Sequence, residues 1–243
     1  MKIIKLDAID STNSFLKELA HSNSLENYTI VTAREQKKGR GQMGTNWVSE
    51  PGKNLLCSVY VAFEGFPITH QVLINYAVSL AIVSTLEKLN VSKLAIKWPN
   101  DILSSNQKIC GVLVENVMQN KEIKSAIIGI GLNINQQLFP KNILNATSIF
   151  NVTGTRIAIE SVLDLLIVDL KLYTSYITNS NTNVLKKSYL DKLYKKNIPT
   201  MFKNSQNVLF MGKIIGVSSL GKLQIELEDE STKEFEIKEV TFA

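Results

Sequence analysis

Ile109-Cys110-Gly111-Val112-Leu113-Val114-Glu115-Asn116-Val117 and, shortly after it, Ser125-Ala126-Ile127-Ile128-Gly129-Ile130-Gly131-Leu132-Asn133-Ile134 are two apolar, β-branched runs separated by turn residues. Runs of this kind suit adjacent strands at the centre of a sheet. Leu94 to Trp98 upstream reads the same way, and Leu55 to Phe63, rich in β-formers, adds a strand. Ile68 to Leu89 carries apolar residues almost all round, the mark of a long buried helix that needs a sheet to lie on. A sheet with helices packed on it is therefore expected.

On the N-terminal side, Asp10-Ser11-Thr12 offers N-cap residues ahead of Phe15, Leu16 and Leu19, predicting a helix to about Ser22, followed by a strand over Tyr28 to Ala33. Gln36 to Trp47 is polar and glycine-rich and reads as a loop. On the C-terminal side, Ile157 to Ile177 and Val184 to Tyr194 read as helices. After Ile198-Pro199 the character changes: Val208 to Phe210, Lys213 to Val217, Leu223 to Leu227 and Glu234 to Val240 form four short strand patterns, broken by Gly212, Gly216, Gly221 and Asp229. This predicts a small antiparallel barrel, with a larger domain over residues 1–196 and the barrel over 197–243.

The 243-residue chain has 44% hydrophobic and 20% charged residues, which argues against disordered and fibrous classes. Lys+Arg 27 against Asp+Glu 22 leave a net charge of +5, with a pI near 9.0, suited to nucleic acid or to an anionic small molecule. Two cysteines, Cys57 and Cys110, make no disulfide framework, and with His21 and His70 they lack zinc-site spacing. Lys2 and Lys5 bring charge too early for a signal peptide, and no run approaches the ~18 consecutive apolar residues that span a bilayer. A cytoplasmic protein with no membrane partner is expected.

Gly39-Arg40-Gly41-Gln42-Met43-Gly44 embeds one cation among glycines, so backbone N–H groups can turn toward an anion; it lacks the Gly-Lys-Ser/Thr of a Walker loop. Trp47 beyond it can stack on a purine or sit in the core. Lys97-Trp98-Pro99-Asn100-Asp101 gathers polar groups where an apolar strand must turn, and the bland alternative is an internal Lys97–Asp101 pair. Lys108 enters the next strand with the parity of Cys110, itself read as an inert core thiol. Gly129-Ile130-Gly131 lacks the third glycine of a dinucleotide fingerprint, so it marks a close backbone approach, with Asn133 offering both donors and acceptors. No Ser/His/Asp set and no carboxylate cage is suggested. Cations and glycines around anions suit a reaction in which a carboxylate attacks the α-phosphate of ATP.

The order and spacing of these motifs resemble the biotin protein ligases. That family carries Asp-Ser-Thr-Asn at a helix start, a Gly-Arg-Gly loop ending in Trp, Lys-Trp-Pro-Asn-Asp, Lys-x-x-Gly-x-Leu-x-Glu and Gly-x-Gly-x-Asn. These stand here as Asp10 to Asn13, Gly39 to Trp47, Lys97 to Asp101, Lys108 to Glu115 and Gly129 to Asn133, so the resemblance runs from about residue 7 to the C-terminus. It implies an α+β fold: a class II synthetase-like mixed sheet with packed helices, plus a C-terminal SH3-like barrel. It implies that biotin and MgATP give biotinyl-5′-AMP and pyrophosphate, and that a lysine of a biotin carboxyl carrier protein, in acetyl-CoA carboxylase or another biotin-dependent enzyme, then displaces AMP. Carried over position by position, Ser11, Thr12, Gln36 and Gly39 would bind biotin against a wall of Gly111 and Leu113. Arg40 and Lys108 would steady the carboxylate and the α-phosphate. Gly41, Gln42, Trp47, Lys97 and Asn133 would contact the nucleotide. Asn100 and Asp101 would orient ATP with its magnesium, with Asp101 also assisting the incoming amine. Arg40, Lys108 and Asp101 form the expected catalytic set, and no metal site made by the protein alone is implied.

Two departures from the family pattern stand out. Gln42 and Thr45 occupy positions where the loop often has arginine, so two cations that could retain the adenylate are missing, and Lys37, Lys38 or Lys53 is expected to substitute. Asp10 lies almost at the N-terminus, so no winged helix-turn-helix, hence no DNA partner, is expected in a monomer or homodimer. Lipoate or octanoate attachment is the alternative on the same fold. A nucleic-acid-binding protein is the distant alternative, weakened by the lack of a basic helix and by scattered Phe210, Phe235 and Phe242.

Overall fold

The computed structural model describes residues 2–141, 143, 145–178 and 181–243. It opens with a strand that the sequence did not announce, β1 (Ile3–Ile9), whose alternation is masked by its exposed edge position. Helix α1 (Thr12–Ser22) then crosses to β2 (Ile30–Gln36), which lies two to three residues beyond the expected Tyr28–Ala33 and pairs parallel to β1. The long strand β3 (Leu55–Pro67) leads through a short 3-10 turn to α2 (Val72–Lys88). The next strands are β4 (Leu94–Lys97), β5 (Asp101–Ser104), β6 (Gln107–Gln119) and β7 (Glu122–Leu132). β5 was not anticipated, because Asp101 and Ser104 hide the pattern of so short a strand. The seven strands form one mixed sheet in the order β1-β2-β3-β7-β6-β5-β4. β6 and β7, the two runs quoted at the outset, pair antiparallel, and β7 sits centrally between β6 and β3.

One face of this sheet is sealed. α2 is buried on nearly every side, by the sheet below and by α4 (Ile159–Thr178) beside it, and α4 follows the short α3 (Ile149–Thr153). Tyr76 of α2 stacks on Tyr189 of α5 (Thr182–Asp191), with ring centroids 4.1 Å apart. The segment Ile68–Lys88 is long and apolar enough to cross a membrane by length and composition, yet it serves here as the core helix. Its apolar character on all faces reflects neighbours on all faces.

The C-terminal residues form a five-stranded antiparallel sheet in the order β11-β10-β9-β8-β12. It comprises β8 (Pro199–Asn204), β9 (Leu209–Val217), β10 (Leu223–Leu227), β11 (Thr232–Phe235) and β12 (Val240–Phe242), a set compatible with an SH3-like barrel. The expected four strands are thus re-partitioned. Gly212 lies inside β9 rather than between two strands, Glu234 to Val240 divides into two, and β8 was missed because it begins at Pro199. This sheet packs against the larger one. The Trp98 Nε1–H donates to the Gly221 carbonyl at 2.9 Å, and the Lys97 ammonium lies 5.2 Å from the centre of the Phe242 ring.

Candidate active site

The opposite face of the seven-stranded sheet is covered in part by α1, whose Leu16 packs on Val31 and Ile127, and beside that helix it carries a cleft of about 290 Å³, close to the lower end for small-ligand sites. One wall is the start of α1. Ser11 caps the helix, its hydroxyl accepting from the Ser14 N–H, and this puts Thr12 and Asn13 in a buried first turn. The Thr12 N–H and hydroxyl both donate to Gln36 Oε1, at 2.8 and 3.0 Å, locking the amide at the end of β2. The Ser58 hydroxyl bridges the Thr12 hydroxyl, 2.7 Å away, and Asn13 Oδ1. Asn13 Nδ2 donates to the Leu113 carbonyl and to Glu115 Oε2. Gly129 is what admits that amide: a Cβ there would fall 2.3 Å from Asn13 Oδ1.

Three cations line the cleft, Arg40, Lys108 and Lys238, and the first two are each held by a carboxylate. Both terminal nitrogens of Arg40 donate to Glu115 at 3.2 Å, and Arg40 also reaches the Ser14 hydroxyl. Burial raises the pKa of the Glu115 carboxyl, but the Asn13 amide, Arg40 and Lys17 more than offset this and hold it below the ordinary value. Lys108 Nζ lies 2.7 Å from Asp101 Oδ1, so the partner of Asp101 is Lys108 and not the Lys97 of the bland alternative. Lys108 does point into the cleft, as expected, but not on the side of Cys110. Leu103 pairs with Lys108 and Ile102 with Cys110, which leaves Ile109 as an extra bulged residue. Lys108 is thereby moved to the cleft side with Gly111 and Leu113, while Cys110 stays fully buried. Burial pushes the Cys110 thiol up, and the Cys57 thiol up to about 12, so both are inert at neutral pH.

The glycine loop folds over this floor. A 3-10 turn at Gln42–Gly44 is closed by pairing of Arg40 with Asn46, giving the expected loop more local structure than its composition announced. The Trp47 ring lies on Gly131, where a Cβ would come within 2.5 Å of it, and Lys108 Nζ stands 5.5 Å from the ring centre. Trp47 Nε1 and Gln42 Oε1 are buried without a hydrogen-bond partner. A donor and an acceptor left unsatisfied at the rim of one cleft are groups a ligand can pair.

Ser11, Thr12, Gln36, Arg40, Gly41, Gln42, Trp47, Asn100, Asp101, Lys108, Gly111 and Leu113 all line this cleft. Three expected residues do not. Gly39 is buried beneath the loop, its carbonyl accepting from the Trp47 N–H. Lys97 faces Phe242 on the far side of Pro99. Asn133 is buried with Nδ2 donating to the Thr147 carbonyl, leaving its Oδ1 without a partner. Lys37, Lys38 and Lys53 are likewise absent from the lining, and Lys38 pairs with Asp10 at 2.8 Å on the surface. Sequence reasoning assigned no role to Asn13, Ser58, Glu115, Ile237 or Lys238. For Ser58 a signal existed, a polar side chain inside an apolar strand. For Ile237 and Lys238 none did, since the C-terminal sheet brings them to the cleft from far along the chain.

The description "Biotin/lipoate A/B protein ligase family" belongs to a family model that matches residues 6–133. The bifunctional ligase/repressor BirA of Bacillus subtilis strain 168 is 32% identical over 232 residues, covering 93% of this chain and 70% of that protein. The biotin--[acetyl-CoA-carboxylase] ligase of Paracoccus denitrificans is 33% identical over 127 residues, 51% of each chain. The solved structure of the biotin protein ligase from Aquifex aeolicus in complex with biotin and ATP matches with a TM-score of 0.81 at 25% identity, over 100% of this chain and 98% of that one. Helix start, glycine loop and paired cations thus stand on a shared fold, and the chain belongs to the biotin/lipoate A/B protein ligase family.

Proposed function

We propose that this protein activates biotin with ATP and transfers the biotinyl group to a lysine of a biotin carboxyl carrier protein. The observation that carries the reading is the convergence of Arg40 and Lys108 in one cleft walled by Leu113 and Ile130 and floored by the Thr12–Gln36–Ser58 hydrogen-bond cluster. The polar cluster takes the ureido head of biotin and the apolar wall its body. A biotin carboxylate oxygen attacks the α-phosphorus of ATP, the bond to the bridging oxygen breaks, and pyrophosphate leaves. Arg40 and Lys108 exchange their carboxylate partners for the charge that develops on phosphate. In the second step the carrier amine attacks the acyl carbon, AMP departs, and the amine gives up a proton, with Asp101 released from Lys108 to receive it.

Magnesium, brought with ATP, would rest chiefly on phosphate oxygens, with Asp101 as the protein carboxylate within reach; no group of three metal-ligating residues occurs among the described residues. The larger sheet and its helices, residues 1–196, would carry the chemistry, with 197–243 packed at the cleft mouth. Free Cys57 and Cys110 are compatible with a cytoplasmic location. Biotin-dependent exchange of labelled pyrophosphate into ATP, followed by biotinylation of a carrier domain, tests the reading. Absence of both with active carrier present would reject it, and stabilisation by lipoate but not biotin would favour the lipoate alternative.

A further inference from the structure

The glycine loop of this chain has Gln42 and Thr45 at the two positions where it departs from the arginines of the family pattern, and the surface lysines nearest in sequence do not reach the cleft. A third cation does line it, and it comes from the C-terminal sheet. Lys238, in the turn between β11 and β12, donates from Nζ to the Met43 carbonyl at 2.9 Å. Met43 sits at the centre of the loop's 3-10 turn in a left-handed conformation, φ 50° and ψ 38°. Arg40 and Lys108 are each neutralised by a carboxylate, whereas Lys238, among the described residues, has only this neutral carbonyl as partner. Its neighbour Ile237 lines the same cleft and brings the turn against Pro99.

We propose that Lys238 is a positioning residue of the site: it latches the glycine loop to the C-terminal sheet and supplies the uncompensated positive charge that holds a nucleotide phosphate under the closed loop. A cation with a carbonyl partner has not lost its net charge, so a phosphate oxygen gains more from it than from a cation already paired. The latch joins residues far apart in the chain, so it closes only when the two sheets are docked, and this gives the C-terminal sheet a part in retaining the adenylate. The inference rests on the ligase reading, and its test separates the two.

In the full-length protein, Lys238→Met and Lys238→Arg are compared with the parent in two assays. Limited proteolysis of the loop without ligand reads the latch and needs no ligase activity. The half-time for loss of biotinyl-5′-AMP from the isolated complex reads phosphate retention. Lys238→Met is expected to be cleaved faster within residues 39–47 and to release adenylate on the order of tenfold faster, with biotin affinity unchanged; Lys238→Arg should restore slow release. Faster release that arginine does not restore would overturn the charge assignment. Unchanged proteolysis and release in Lys238→Met would overturn the proposal as a whole. If the parent forms no adenylate, the ligase reading fails; unchanged loop cleavage in Lys238→Met would then overturn the latch too, while faster cleavage would uphold it.

Discussion

The two faces of the seven-stranded sheet each hold ion pairs, and they differ in the carboxylate rather than in the cation. Behind the sheet, Lys88 reaches from α2 to Asp169 on α4, whose side chain is 1% exposed and also accepts from the Ser84 and Thr85 hydroxyls. In the cleft, Arg40 meets Glu115 at 17% exposure and Lys108 meets Asp101 at 24%. Lys88 is as exposed as Arg40, at 46% and 45%, so cation exposure does not separate the pairs. A carboxylate sealed from solvent has nothing to trade, because breaking the pair would strand a buried charge. One reachable from a cleft can be displaced by an incoming anion without that cost. Similar chemistry thus serves packing on one face and exchange on the other.

The sharpest way to break this contrast is to truncate one cation of the cleft. Lys108→Ala is expected to slow adenylate formation by about 10²–10³-fold while leaving the urea unfolding midpoint unchanged; equal losses in rate and biotin affinity would reduce Lys108 to a binding residue. On the sealed face the effects should invert. Asp169→Ala is expected to cost about 2 kcal/mol in stability by urea denaturation, with the turnover of the folded fraction unaltered. A smaller effect should appear with pH. Because the Glu115 carboxyl is held below its ordinary value, it stabilises the fold above about pH 4.3, and that contribution is lost as pH falls through the lowered value. The stability difference between the parent and Glu115→Gln should therefore be constant near neutrality and shrink on acidification. The smallest effect is expected at Lys38. Its pairing with Asp10 is fully on the surface, so Lys38→Ala should change neither melting temperature nor adenylate release.

Much of the site was legible because its residues are clustered in sequence. The loop around Arg40, the turn at Asn100-Asp101 and the β6 entrance at Lys108 are each unusual in composition, and each lines the cleft. Lys97 and Asn133 belong to equally distinctive motifs but do not, since neighbours along a chain are turned to different sides by strand alternation and by the bend at Pro99. The strands most easily missed were edge or polar ones: β1, β5 and β8 lack the apolar run that burial on two faces imposes.

The amino-acid sequence by itself determined the class of this fold and the character of its chemistry, because apolar periodicity and the placement of glycines and cations are local properties. The pairing of Arg40 with Glu115, the bulge at Ile109 that turns Lys108 into the cleft, and the arrival of Lys238 over Met43 were decided only by tertiary structure. Each depends on distances between segments remote in sequence, and those are set by how strands register and sheets dock, which no local pattern encodes.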